Sequence, residues 1–241
     1  MLLEDLKRHR VDYAVLIPDN VPASDVGDLD TVIELAREEP RLFPMGTLNI
    51  LKDKESILDK LDWLFESERI VGIKLFPGHD PIYPTDRRLI PVYELCIKHD
   101  LPIMIHTGWN PNNPKAAEYN DPKYIVKIAK IFHNLKIVIS HYFWPEVEYC
   151  REVTRAFQNI YFDTSGLADE EVIRQTGFQR IHRVLTETFR ERPDSVLFGT
   201  DYAACDIGKH IELVKSLKIS NADKERIFWE NALRLFRLRL I

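Results

Sequence analysis

Short continuous apolar runs alternate with longer amphipathic stretches along the whole chain. Leu2–Arg10 has its leucines on one face among charges and predicts a helix. Tyr13–Ile17 is apolar throughout and closed by Pro18, the pattern of a strand buried on both faces. The alternation continues with a helix at Asp28–Glu39, a strand at Leu42–Leu48, a helix at Asp53–Glu68 and a strand at Val71–Phe76. After a loop at Gly78–Thr85 comes a helix at Arg87–His99, with Asp86 as N-cap and Pro91 in its first turn. Leu101–Pro–Ile–Met–Ile–His106 is the next strand, followed by a loop at Trp109–Asn120. Asp121 caps a helix at Pro122–His133. Lys136–Ser140 is a strand, Pro145–Phe157 a helix, Ile160–Asp163 a strand, and Glu170–Arg190 a helix broken near Gly177. Ser195–Gly199 is the last strand, before helices at Ile207–Leu217 and Ala222–Leu235, the second capped by Asn221.

Strict alternation of strands and helices predicts a parallel sheet in an α/β fold. No Gly-rich fingerprint follows the first strand, so an open dinucleotide-binding sheet is disfavoured against a barrel. Seven strands and a leading helix predict a (β/α)8 TIM-barrel-like domain over 1–241, with its first strand missing. Such a barrel has two open edges. A partner, a loop or rearranged ends must cover them, and a homodimer is one solution.

In a parallel barrel the C-terminal strand ends share one rim, where sites are built. Three strands end in chemistry-bearing residues: His106, His141 and Asp201. Two imidazoles and a carboxylate suit a divalent metal, zinc first among them. Asp201 is alternatively a general base beside a metal-bound water. Each histidine alone also has a bland reading, as a hydrogen-bonded buried residue. Lys74 shares a strand face with Gly72 and Phe76. A lysine inside a barrel needs a partner. It binds an anionic substrate, carries a metal-ligating carbamate, or pairs with Asp163 or Asp201. Asp163 ends a strand on the face of Tyr161 and Ser165, where it orients a ligand or, the favoured reading, caps the following helix. His79, Tyr83, Trp109 and Asn110 lie on the two long loops, where substrate contacts are made, although ordinary loop packing explains each singly. Pro77, Pro81, Pro84 and Pro111 stiffen those loops. His9, His99, His133, His182 and His210 fall on helices and are read as structural.

The chain has 241 residues, 45% hydrophobic and 29% charged, with a formal charge of −5. No basic block points to nucleic acid, and no apolar run reaches the ~20 residues of a membrane span. Cys96, Cys150 and Cys205 are odd in number and form no C-x-x-C pair, which suits a reducing, cytoplasmic setting. The expected partner is a small molecule.

Gly72–Ile–Lys–Leu–Phe–Pro77, Tyr83–Pro84, Pro91–Val–Tyr–Glu–Leu95 and Leu101–Pro–Ile–Met–Ile–His–Thr–Gly108 resemble the amidohydrolase-related (amidohydrolase 2) family of metal-dependent hydrolases. Ile139–Ser–His–Tyr142, Leu197–Phe–Gly–Thr–Asp201 and Asn231–Ala–Leu–Arg–Leu–Phe236 continue the resemblance to the end of the chain. It implies a distorted (β/α)8 barrel that hydrolyses C–N or C–O bonds, with a branch that decarboxylates aromatic or related acids. It also implies that His106 and His141 ligate metal and that Asp201 ligates metal and handles protons. The family normally opens with a His-x-His strand, and no His-x-His occurs here. Two expectations follow: a product that starts upstream of Met1, or a short form with a weakened metal site. A non-catalytic binding barrel is the reading that competes with the enzyme.

Overall fold

The structure is a computed structural model that describes residues 1–19, 27–54, 56–67, 69–110 and 113–240. Glu68 and Pro111, assigned above to a helix end and a loop, lie outside the described residues. The strands are β1 (Ala14–Leu16), β2 (Leu42–Pro44), β3 (Gly46–Thr47), β4 (Ile73–Leu75), β5 (Ile103–Ile105), β6 (Ile137–Ile139), β7 (Ile160–Asp163) and β8 (Val196–Leu197). All pairings are parallel, in the orders β1-β2 and β3-β4-β5-β6-β7-β8. The segment predicted as one strand at Leu42–Leu48 is divided at Met45. Met45 N–H donates to the Leu16 carbonyl at 2.8 Å and Gly46 N–H to the Gly72 carbonyl at 2.8 Å. One segment therefore joins the two sheets, and the seven-strand order stands. Among the described residues β1 and β8 do not pair with each other. All of β1 is half-buried, whereas β4, β5 and β6 are fully buried, as expected of a strand at a sheet edge.

Paired residues in a parallel ladder project to the same face. The row Ile73, Ile103, Ile137, Ile160 faces the helices, and so does the row Leu75, Ile105, Ile139, Phe162. Between them, Lys74, Met104, Val138 and Tyr161 face the interior, where Met45 and Leu197 join them. The interior is closed below by the C-terminal segment, through Leu235, Phe236 and Leu238.

The outer helices pack their apolar faces on the first rows. The helix at Phe178–Glu191 buries Ile181, Val184, Leu185 and Phe189, an i, i+3, i+4, i+8 stripe. Its separation from the helix at Glu170–Thr176 falls at Gly177, whose φ of 88° suits glycine. Two predicted caps move. Ser220, not Asn221, caps the helix at Asn221–Glu225, accepting from Asp223 N–H at 3.1 Å. Asp169, not Asp163, caps the helix at Glu170–Thr176. Asp163 is drawn instead to donors inside the barrel. Among the described residues no helix is long and apolar enough to cross a membrane.

Candidate active site

His106 stands one position past β5, on the interior face that Met104 begins. Its N–H donates to the Leu75 carbonyl at 2.9 Å, so the ladder still holds the backbone where the imidazole leaves it. Two further imidazoles meet it. His79, on the loop after β4, approaches edge-on with ring centroids 4.5 Å apart, and His141 does so at 4.9 Å. Phe76 backs the row, 6.3 Å from His106 and 5.7 Å from His79. Burial holds His106 well below the usual imidazole range, helped by His141 and Lys74. Burial lowers His79 too, against the pull of Asp19.

His141 reaches this row by a route that alternation does not predict. Ile137 and Ile139 face the helices, so a straight strand would turn His141 outward with them. The backbone leaves the strand instead: His141, Tyr142 and Phe143 have φ of 63°, 53° and 56°. This left-handed run of non-glycine residues is rare and unfavourable by itself. It is held from several sides. Asp163 Oδ1 accepts the His141 N–H at 3.0 Å, and Thr107 Oγ1 accepts the Phe143 N–H at 3.0 Å. Thr107 in turn donates its hydroxyl to the Ser140 carbonyl at 2.5 Å.

Beneath the imidazoles lies Lys74, only 3% exposed. Its Nζ donates to Ser140 Oγ at 2.6 Å and stands 5.4 Å from the Phe76 ring centroid. Of the readings left open, the ion pair with Asp163 or Asp201 gives way to this hydroxyl. Burial pulls the ammonium down to about 8, and the fields of Asp163, Asp201 and Asp19 only partly offset it.

The remaining predicted residues divide. Trp109 lies at the rim, its N–H donating to the Trp144 carbonyl at 3.0 Å and its ring edge-on to the Trp144 ring at 5.9 Å. Asn110 follows it, and its carbonyl accepts the Asn113 N–H at 3.0 Å. Tyr83 joins an aromatic group with Tyr119 and Tyr124, at 4.9 and 4.8 Å, and is 39% exposed. Asp201 is exposed and itself left-handed, with φ 65°. Its field reaches Lys74. Three participants went unread. Asp19 follows Pro18 at the end of β1 and acts electrostatically on Lys74 and His79; its place at a strand end was the signal. Ser140 and Ser165 carried no signal beyond position.

The amidohydrolase family's sequence profile matches residues 3–238. The chain belongs to the amidohydrolase family. No curated protein matches it. An uncharacterised TIM-barrel protein from Bordetella bronchiseptica superposes with a TM-score of 0.80 at 23% identity, covering 98% of this chain and 81% of the other. A putative 2-pyrone-4,6-dicarboxylic acid hydrolase from Pseudomonas putida gives 0.74 at 14%, covering 100% and 87%. A 5-carboxyvanillate decarboxylase from Novosphingobium aromaticivorans, complexed with manganese, gives 0.70 at 16%, covering 98% and 79%. At these identities the likeness is one of fold, and the fold is that of a TIM barrel.

The manganese in that neighbour makes the donor set of this family member a direct question. Among the described residues no three His, Cys, Asp or Glu side chains are grouped so as to hold a metal ion. His106 and His141 supply a neighbouring pair of imidazoles, but exposed Asp201 does not complete a set with them. A tight catalytic site needs about three protein ligands, and among the described residues His106, His141 and Asp201 as placed do not by themselves complete one. Equilibrium dialysis of this chain against micromolar zinc or manganese should therefore retain well below one equivalent. A full equivalent lost on His106→Ala would show that Asp201 or His79 swings in to complete the set.

Proposed function

We propose that this member of the amidohydrolase family is an enzyme acting on a small carboxylic acid, and that its reaction is decarboxylation. The observation that carries the reading is Lys74. It is a fully buried ammonium whose described hydrogen-bond partner is a neutral hydroxyl, under a rim of imidazoles. A buried charge without a counter-ion is costly unless a ligand supplies one. A substrate carboxylate is the complementary charge. The imidazoles of His79 and His106, kept neutral by burial, add polarity without competing for the anion. In the reaction the bond from the substrate carbon to the carboxylate breaks, its electron pair stays on that carbon, and CO2 leaves. The carbon then takes the proton of the Lys74 ammonium, which solvent restores. An acid with a pKa of about 8 is mostly protonated at neutral pH yet a stronger donor than an ordinary lysine. The likeness to an aromatic acid decarboxylase supports the same class.

Hydrolysis by metal-activated water calls for Asp201 beside His106 and His141, and its exposed position favours it less. Incubation with hydroxybenzoic and related aromatic acids in deuterated water decides between the reactions. Decarboxylation releases CO2 and leaves one deuterium on the carbon that bore it. Ring opening of a pyrone dicarboxylate without CO2 release would replace this reading with the hydrolase.

A further inference from the structure

We propose that Asp163 and Ser165 are positioning residues that set the orientation and tautomer of His141, placing the imidazole proton on Nδ1 and leaving Nε2 bare. This rests on the reading above only in taking His141 as part of the working cleft. Asp163 is buried on the interior face of β7, and its Oδ1 gathers donors. It accepts the His141 N–H at 3.0 Å, the Ser165 N–H at 3.0 Å and the Ser165 hydroxyl. The Ser165 hydroxyl also lies 2.9 Å from His141 Nδ1, and the Ser165 carbonyl oxygen lies 3.3 Å from the same nitrogen.

Proton counting then leaves one arrangement for the neutral ring. Ser165 has a single hydroxyl proton. Turned to His141, it would leave a serine lone pair against the carboxylate oxygen, so it goes to Asp163. Ser165 Oγ can then only accept from His141. The carbonyl of Ser165, which never donates, favours the same proton more weakly from 3.3 Å. Together they place the proton on Nδ1. The same carboxylate oxygen thus fixes the left-handed backbone that brings His141 inward and, through one hydroxyl, the state of its ring. Nε2, on the edge away from β7, is left as an acceptor for a substrate hydroxyl.

The test is the tautomer, read from 13Cδ2 and 15N shifts of the neutral ring in histidine-labelled full chain, with His141→Gln used to assign the signal. The wild type and Asp163→Asn, which keeps the acceptor oxygen, should show Nδ1–H. Asp163→Ala frees the Ser165 hydroxyl to donate to Nδ1, and the Nε2–H fraction should rise several-fold against the weaker pull of the Ser165 carbonyl. Should Asp163→Ala not fold, Ser165→Ala serves: loss of the nearer acceptor should raise the Nε2–H fraction several-fold. Nε2–H in the wild type, or an unchanged tautomer in the alanine variants, overturns the proposal. Turnover separates it from the functional reading. With an accepted acid, Asp163→Ala should lose about 10–100-fold in kcat and Asp163→Asn should recover most of it. The expected tautomers in a protein that decarboxylates nothing would retire the decarboxylase and leave the positioning intact.

Discussion

Lys74→Met should make the protein more stable and abolish the turnover of carboxylic acids proposed for it. The opposing signs have one cause. In the fold the Lys74 ammonium is hydrogen-bonded to a neutral hydroxyl, and its desolvation pulls it from 10.5 to about 8. That depression corresponds to about 3 kcal/mol by which folding disfavours the charged form. Methionine fills similar space without the charge, so a gain on the order of 1–3 kcal/mol is expected at pH 7. Urea denaturation reads it, and a loss of stability would show that Lys74 is satisfied as it stands. The pH dependence gives a second check. Between about 8 and 10.5 the unfolded chain binds more protons at Lys74 than the folded one does, so wild-type stability gains a rising contribution across that window. The methionine variant should lack it. Activity should run the other way, because kcat/KM for a carboxylate falls as Lys74 loses its proton above about 8. Removal of the group should cost at least about 100-fold. A variant that keeps its activity would take Lys74 out of the chemistry.

The second large effect is expected at Asn120, which touches none of the site histidines in the contacts described. Asn120 is fully buried. Its Oδ1 accepts the Gly108 N–H at 3.1 Å, while Nδ2 donates to the Pro77 carbonyl at 3.2 Å and the Gly108 carbonyl at 3.3 Å. One amide therefore ties the loop after β4, which carries His79, to the loop after β5, just past His106. Asn120→Ala leaves a buried N–H and two carbonyls without that partner. Desolvated polar groups of this kind cost about 1–3 kcal/mol each, and with partial relaxation about 3 kcal/mol in total is expected. Denaturant unfolding should show a lower midpoint at unchanged slope. The edge contact between His79 and His106 should loosen with it, seen as exchange broadening of their ring resonances. A change below about 1 kcal/mol with sharp resonances would mean that the loops hold without the amide.

Much of this site was legible before any fold was at hand. Met104 and His106 lie on one face of a strand, and the ladder continues through His106, so its inward direction followed from alternation. Lys74 was legible for the same reason: in Val71–Phe76 it shares a face with Gly72 and Phe76, and that face is the interior one. His141 shows where such reasoning ends. Ile137 and Ile139 face the helices, and His141 would follow them, had the backbone not turned left-handed. What turns it is a carboxylate on the next strand, some twenty residues on. Asp163 shows the same limit: its strand-end place allowed either orienting a ligand or capping the next helix, and the favoured cap fell to Asp169 instead.

The sequence by itself determined the order of strands and helices, which faces are apolar and which strand ends carry imidazole, because those properties repeat with the local period of the backbone. It also showed the seven-strand count and the family. Only the tertiary structure decided which groups meet. The row of His79, His106 and His141, the neutral partner of Lys74 and the placing of Asp201 outside that row are contacts between segments distant in the chain. Their geometry is set by strand register and by the hydrogen bonds that buried donors must find. No local pattern carries that information, since each side chain's state here depends on a charge or a donor supplied by another strand.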